Sequence, residues 1–302
     1  MQMEPSSMIH RGFERLLRYD TINGTEYVKT LHSYIRNGLS IVEMCKELFL
    51  IRRRLEMDII LKQMIEIVKQ CGQLILNADR TTMAIDAKEG PANFVTEYDK
   101  KVQQQLETEL KQIVPDARFI GEEENTNTAS NKGKYFIVDP IDGTTNFIKD
   151  YHMSCISVAL LEDGEVKIGI IYNPYLNEMF WAVKGEGAYC NDRRIHVSEQ
   201  PLSNGLVLFG ASPYNKELHK KSFELAYEFF SQALDMRRSG SAALDLCSIA
   251  AGRAELYFEL RLSPWDYAAG SLLVQEAGGI VTTIDGEALC FDRPCSVLAK
   301  NR

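Results

Sequence analysis

Segments whose apolar residues recur at helical spacing alternate along this chain with short apolar runs of strand length. Two of those runs are joined by the turn residues Asp163-Gly164 as a hairpin. A purely parallel sheet needs a crossover between successive strands, so the hairpin points to a mixed α/β layered architecture. A long amphipathic helix is predicted from Met57, with Ile60, Met64, Ile67, Val68, Cys71, Leu74 and Ile75 on one stripe, and a second over Lys100–Val114, stopped by Pro115. Strands are predicted at 135–139, 155–161, 166–172, 179–183, 206–210, 255–259, 280–284 and 296–299, and further helices at 216–232, 242–251 and 265–277. With 302 residues, 45% of them apolar, the chain can bury a substantial core.

No uncharged apolar run of membrane-spanning length occurs, and Met1 to Arg18 mixes Glu, His and Arg, so the expectation is a soluble, cytoplasmic protein. The seven cysteines are odd in number and widely spread, which fits free thiols better than a disulfide framework, and no C-x-x-C pair suggests zinc. A net charge of −8 argues against nucleic acid binding over the whole surface. The charge is uneven: residues 1–56 carry nine Lys/Arg and seven Asp/Glu, a net +2, which leaves −10 on 57–302. Two parts are therefore predicted, a small all-α segment at 1–56 and a larger body at 57–302.

In the first part, Tyr27, Leu31, Tyr34 and Ile35 have helical spacing before a break at Asn37-Gly38. Ser40 and Glu43 then form a capping-box pattern, and Ile41, Met44, Cys45 and Leu48 give a buried face. A turn is predicted near Phe49-Leu50, with Arg52-Arg53-Arg54 opening a further helix. The stretch resembles the helix-turn-helix of purine-catabolism-type transcription regulators. That resemblance implies a possible DNA contact through Arg52, Arg53 and Arg54, because a recognition helix reads the major groove from its N-terminal end. An extra helical cap with a solvated basic patch is the alternative.

The chemistry is concentrated in Asp139-Pro140-Ile141-Asp142-Gly143-Thr144-Thr145. Magnesium takes hard oxygen ligands in a compact octahedron, so its sites need a few carboxylates at the ends of rigid elements. Asp139 closes the apolar run Tyr135-Phe136-Ile137-Val138, Pro140 keeps the chain extended, and Asp142 returns in the following turn with the Ile141 carbonyl between them. Gly143-Thr144-Thr145 then supplies close backbone approach, hydroxyls and free amides where a helix begins, an arrangement that holds a phosphate.

Asp139 to Phe147 resembles the signature of the inositol monophosphatase family, and other pieces fall in that family's order: Val95-Thr96-Glu97-Tyr98-Asp99, Gly121-Glu122-Glu123, Gly240-Ser241-Ala242, Glu259 and Trp265-Asp266. The resemblance spans about residues 57–302. It implies a five-layer αβαβα sandwich, a homodimer, two or three Mg2+ ions and inhibition by Li+. It further implies metal ligation by Glu122, Asp139, Ile141, Asp142 and Asp266, with Glu122, Thr144 and Asp139 in the catalytic step. Substrate contacts are implied for Asp142, Gly143, Thr144, Thr145, Gly240, Ser241, Ala242, Glu259 and Asp266, and Lys88 stands at the place of a mobile-loop lysine. Asp99 reads as structural. The chain departs from the family pattern at Asn93, where Asp is usual, and at Arg261, where Gly commonly stands, and residues 1–56 have no counterpart in the minimal family.

The expected reaction is magnesium-dependent hydrolysis of inositol monophosphate by in-line attack of a metal-activated water. The alternatives are the same fold acting on a nucleotide 3′-phosphate, fructose 1,6-bisphosphate or histidinol phosphate, and a DNA-binding regulator with a phosphatase-like sensing domain.

Overall fold

The computed structural model describes residues 41–87, 94–123, 129, 130 and 132–302. The chain divides into two units, Met1–Glu56 and Met57–Arg302. Helix α1 (Ile41–Leu76) runs unbroken through Phe49-Leu50, so the turn expected there is absent. Its sequence has no proline, its one glycine is Gly72, and the Leu, Met, Glu, Lys and Arg that fill it are strong helix formers. Arg52, Arg53 and Arg54 thus lie exposed in mid-helix and do not open a recognition helix. The helix expected around Tyr27–Ile35 and its break lie outside the described residues, as do Lys88 and Asn93.

Strands β1 (Ile85–Ala87) and β2 (Phe94–Thr96) pair antiparallel. Helix α2 (Glu97–Ile113) follows at once, capped by Thr96, whose hydroxyl accepts from the Tyr98 and Asp99 N–H groups. A seven-stranded sheet runs in order β3 (Arg118–Gly121), β4 (Lys134–Asp142), β5 (Cys155–Glu162), β6 (Glu165–Asn173), β7 (Glu178–Val183), β8 (Gly187–Cys190) and β9 (Arg193–Ile195). In this sheet only β3 and β4 are parallel neighbours. The β5–β6 hairpin turns at Asp163 (φ 50°) and Gly164 (φ 81°), two left-handed residues whose twist matches that of the strands. Helix α3 (Thr144–Ile148) interrupts the run between β4 and β5.

The second sheet contains β10 (Leu206–Phe209), β11 (Asp235–Arg237), β12 (Leu256–Leu262), β13 (Ile280–Thr282) and β14 (Cys295–Lys300), in order β11-β10-β12-β14-β13. The remaining helices are α4 (Lys216–Phe230), α5 (Ala242–Ala250) and α6 (Pro264–Glu276).

Alternation along β4 assigns the layers. Phe136 and Val138 pack with Met64 and Val68 of α1 and Val102 and Leu106 of α2, whereas Tyr135 and Ile137 face Leu246 of α5 and Leu272 of α6. Tyr257 and Val297 of the second sheet close the other side of α5 and α6, and Val207 and Phe258 turn outward onto α4. The order helix, sheet, helix, sheet, helix is the expected αβαβα sandwich. Because both faces of β4 are covered, its interior is an unbroken apolar run.

The central helical layer is lined with small residues where it meets the sheet. A Cβ on Gly169 of β6 would stand 2.7 Å from the Ala269 carbonyl oxygen, and within the layer one on Gly270 of α6 would meet Leu246 Cδ1 of α5 at 2.5 Å. Cys71, Cys155, Cys190, Cys247, Cys290 and Cys295 are free thiols. No helix among the described residues is long and apolar enough to cross a membrane.

Candidate active site

Asp139 and Asp142 are three residues apart, so in a regular strand they would point to opposite faces. Asp139 stands opposite Ser157 and Asp142 opposite Cys155, three steps on β4 against two on β5. This β-bulge at Pro140-Ile141 restores the phase and turns both carboxylates to one side. The strand therefore continues through Asp142, and the turn expected to contain Asp142 begins one residue later, at Gly143. Gly143 has φ 87°, and a Cβ there would come within 2.8 Å of the Met153 carbonyl oxygen, so the position requires glycine.

Two helix starts in the central layer complete the group. Pro264 opens α6, and Asp266 in its first turn accepts the Ser263 N–H on Oδ2 at 2.7 Å. Ser241 caps α5, accepting from Leu244 N–H at 3.3 Å while donating its hydroxyl to Asp142 Oδ2 at 2.7 Å; Ala243 N–H donates to the same oxygen at 2.7 Å. Ligand oxygens of Asp139, Asp142 and Asp266 lie within 4.8 Å of one another. They form the floor of a cleft of about 370 Å³ that Glu122, Ile141, Gly143, Thr144, Thr145, Gly240, Ser241, Ala242 and Glu259 also line. Every described residue expected at the site is thus in one cleft, although Glu122 is not one of the three converging carboxylates.

The electrostatics identify what such a floor can hold. Burial pushes Asp142 up to about 6 even though the bonds from Ser241 and Ala243 favour its charged form. Burial, then the charges of Glu122 and Asp142, holds Asp139 well above the ordinary carboxylate range; burial, then Asp142 and Glu122, does the same to Asp266. Two buried carboxylates and a half-buried third this close cannot all ionise without a compensating cation, and an all-oxygen donor set suits a hard divalent one. The residues present therefore fit magnesium.

Asp99, expected to be structural, does cap α2, accepting Thr96 N–H on Oδ2 at 2.8 Å. Its Oδ1 also lies 3.3 Å from the Thr144 hydroxyl, which is 3.1 Å from the Ile141 carbonyl oxygen. Asp99 is fully buried, and Thr96-x-x-Asp99 is legible in the sequence as a capping box, but nothing there ties it to a residue 45 positions away. Asn146 lies within the Asp139 to Phe147 signature; its amide donates to the Met153 carbonyl at 2.7 Å and the Ser239 carbonyl at 3.0 Å, fastening α3 to the loop that carries Gly240.

Glu259 accepts Ser212 N–H on Oε1 at 2.8 Å and the Tyr257 hydroxyl on Oε2 at 3.0 Å, and burial pushes it up to about 7 against both bonds. Gly210 is required beside it, since a Cβ there would overlap the carboxylate.

A family model described as the inositol monophosphatase family matches residues 56–302. The Nus factor SuhB of Vibrio cholerae is 41% identical over 202 residues, covering 66% of this chain and 75% of that protein. Inositol-1-monophosphatase of Bacillus subtilis is 34% identical over 235 residues, covering 78% of this chain and 89% of that protein. The solved structure of the extragenic suppressor protein suhB from Bartonella henselae superposes with a TM-score of 0.73 at 32% identity, over 80% of this chain and 93% of that one. The match takes in both sheets, the layer between them and the whole cleft: this chain belongs to the inositol monophosphatase family, whose members are metal-dependent phosphatases.

Proposed function

We propose that residues 57–302 form a catalytic body that hydrolyses inositol monophosphate to inositol and phosphate with magnesium. The observation that carries this reading is the convergence of Asp139, Asp142 and Asp266 within 4.8 Å at the base of a cleft that also contains Thr144 and Glu259. The name of the Bacillus relative supports the choice of ester. Asp139, Asp142 and Asp266 would hold the magnesium with Glu122 and the Ile141 carbonyl; when bound, it supplies charge neutralisation at the phosphoryl oxygens and acidifies a bound water.

The protein's own groups set the geometry. The Thr144 hydroxyl points its proton at the Ile141 carbonyl and Asp99 Oδ1, which leaves its oxygen lone pairs to accept a hydrogen bond from the attacking water and orient it. Ser241 and Ala243 occupy Asp142 Oδ2, so its other oxygen is directed to the cleft. Glu259 uses one lone pair of each oxygen on protein donors and retains the others for ring hydroxyls. Two or three magnesium ions, inhibition by lithium and a homodimer belong to the same proposal.

The test is phosphate release from inositol 1-phosphate, fructose 1,6-bisphosphate, histidinol phosphate and a nucleotide 3′-phosphate, each with and without magnesium. Turnover that requires magnesium and favours an inositol phosphate is the expected result. Release that is unaffected by chelation, or absent from every ester, overturns the reading. A second reading, a role in transcription, is favoured by the relative named a Nus factor; co-purification of the full chain with RNA polymerase tests it.

A further inference from the structure

Helix α4 presents aromatic residues to solvent where a surface helix ordinarily presents polar ones. Its buried positions are Ser222 and Ala226, with Leu225 and Phe229 half-buried against the second sheet. Phe223, Tyr227 and Phe230 face outward, and Leu234 continues their line just past the helix end; exposure runs from 45% at Phe230 to 75% at Tyr227. Steps of four, three and four residues place them on one stripe. Phe223 touches the Phe209 ring edge-on at 5.7 Å and is still exposed. Together the four side chains present roughly 400 Å² of apolar surface, an extent at which such a patch marks a contact site.

The charges beside the stripe identify what fits it. The first half of α4, Lys216 to Lys221, carries three lysines and one glutamate, a net +2; the second, Ser222 to Phe230, carries Glu224 and Glu228 and no Lys or Arg, a net −2. All six side chains are exposed. This order runs against the helix's own dipole, which favours anions at the N-terminal end and cations at the C-terminal end. Lys220 and Glu224 pair at 3.7 Å in the less favourable Lys-before-Glu sense, and among the described residues Lys216, Lys221 and Glu228 form no ion pair. A helix charged in this way is matched by a reversed copy of itself. We propose that two copies of this chain pair through α4, antiparallel, with their apolar stripes face to face. Centred between Phe223 and Tyr227, the pair lays Tyr227 of each copy over Phe223 of the other and Phe230 along the opposite Lys220 stem. Lys220 then stands within about 3 Å, measured along the axis, of the opposite Glu228. No residue of α4 lines the cleft, so the contact is independent of the phosphatase reading, and it would double any homodimer formed elsewhere on the surface.

Two such faces bury about 800 Å² between them, below the size of a tight interface, so association belongs in the micromolar range. The experiment is sedimentation velocity of the full chain from about 1 to 100 µM, a span that brackets this range. At the highest concentration the mass of the unaltered chain should be twice that of Tyr227→Glu, while thermal unfolding shows both to be folded. Lys220→Glu and Glu228→Lys should each weaken the association by roughly tenfold at low salt, because each turns two symmetric attractions into repulsions. An equimolar mixture of these two variants should regain it, since every facing pair is then again of opposite sign.

Equal masses for the unaltered chain and Tyr227→Glu overturn the contact, and they are the result expected if the stripe seats a different protein or if copies associate by another surface. A mixture that associates no better than its separate components overturns the antiparallel pairing.

Discussion

Replacing Asp142 by Asn separates what this carboxylate does for stability from what it does for turnover, and the two effects have opposite signs. Without metal the folded-state pKa is raised from 3.8 to about 6, by burial acting against the hydrogen bonds from Ser241 and Ala243. A raised acid costs nothing below its unfolded pKa. The cost then grows as pH climbs through the interval and is complete above the folded value. Above pH 6 it amounts to about 3 kcal/mol at 1.36 kcal/mol per unit, already net of those two hydrogen bonds.

Asparagine imitates the neutral acid, since its carbonyl can still accept both donors. The metal-free Asp142→Asn protein should therefore be more stable than the unaltered chain at pH 8 by up to about 3 kcal/mol, or roughly 6 °C in Tm for a domain of this size, with no difference near pH 4. Magnesium should raise the Tm of the unaltered chain and leave the variant nearly unmoved. Turnover should fall by at least about a hundredfold, because an amide nitrogen or a single shared oxygen replaces a charged ligand. Scanning calorimetry of chelator-treated protein at pH 4 and pH 8, with and without magnesium, alongside a phosphate-release assay, reads all of this. A variant less stable than the unaltered chain at pH 8 without metal, or one keeping most of its turnover, refutes the account of Asp142 as a buried ligand under electrostatic strain.

Thr144→Ala should lower kcat by roughly a hundredfold with little change in KM, since its hydroxyl orients water and Asp99 acts through it; Asp99→Asn should follow the same pattern in steady-state kinetics. Ser241→Ala removes one of the donors that aim Asp142, so the magnesium concentration for half-maximal activity should rise about tenfold while the fold is kept, as read from an activation curve. Gly143→Ala forces a side chain into a left-handed conformation and against the Met153 carbonyl, and should cost about 1–3 kcal/mol in urea unfolding.

The longer elements and the motif order are legible in the sequence because each rests on local chemistry: the stripe on α1, the Asp163-Gly164 hairpin, and the proline that opens α6 just before Asp266. What is hidden depends on partners distant in sequence. β3, β8, β9 and β11 have three or four residues each, too few to show a period, and they exist because a neighbouring strand supplies hydrogen bonds. The turn expected at Phe49-Leu50 has no breaking residue behind it, and the helix runs on. Within the cleft, Asp99 presents itself as a cap because its second oxygen meets Thr144 only after folding. The bulge that aligns Asp139 with Asp142 likewise needs β5 as its ruler. Arg261 is visible as a departure from the family pattern, but its exposed place on the cleft wall is not.

The central helices act as a shim of fixed thickness between two sheets. Asp142 comes from one sheet and Glu259 from the other, while Ser241 and Asp266 sit at the leading ends of the shim itself, so the spacing across the cleft is inherited from how closely Gly169 lets β6 approach the Ala269 backbone and Gly270 lets α6 approach Leu246 of α5. Tolerance for residue size there is set by the gauge of the metal site more than by the needs of the core. A methyl group added at this seam would first register as a detuned cleft in a protein that still folds, so inactive variants of this chain should be sought in the seam as well as among the carboxylates.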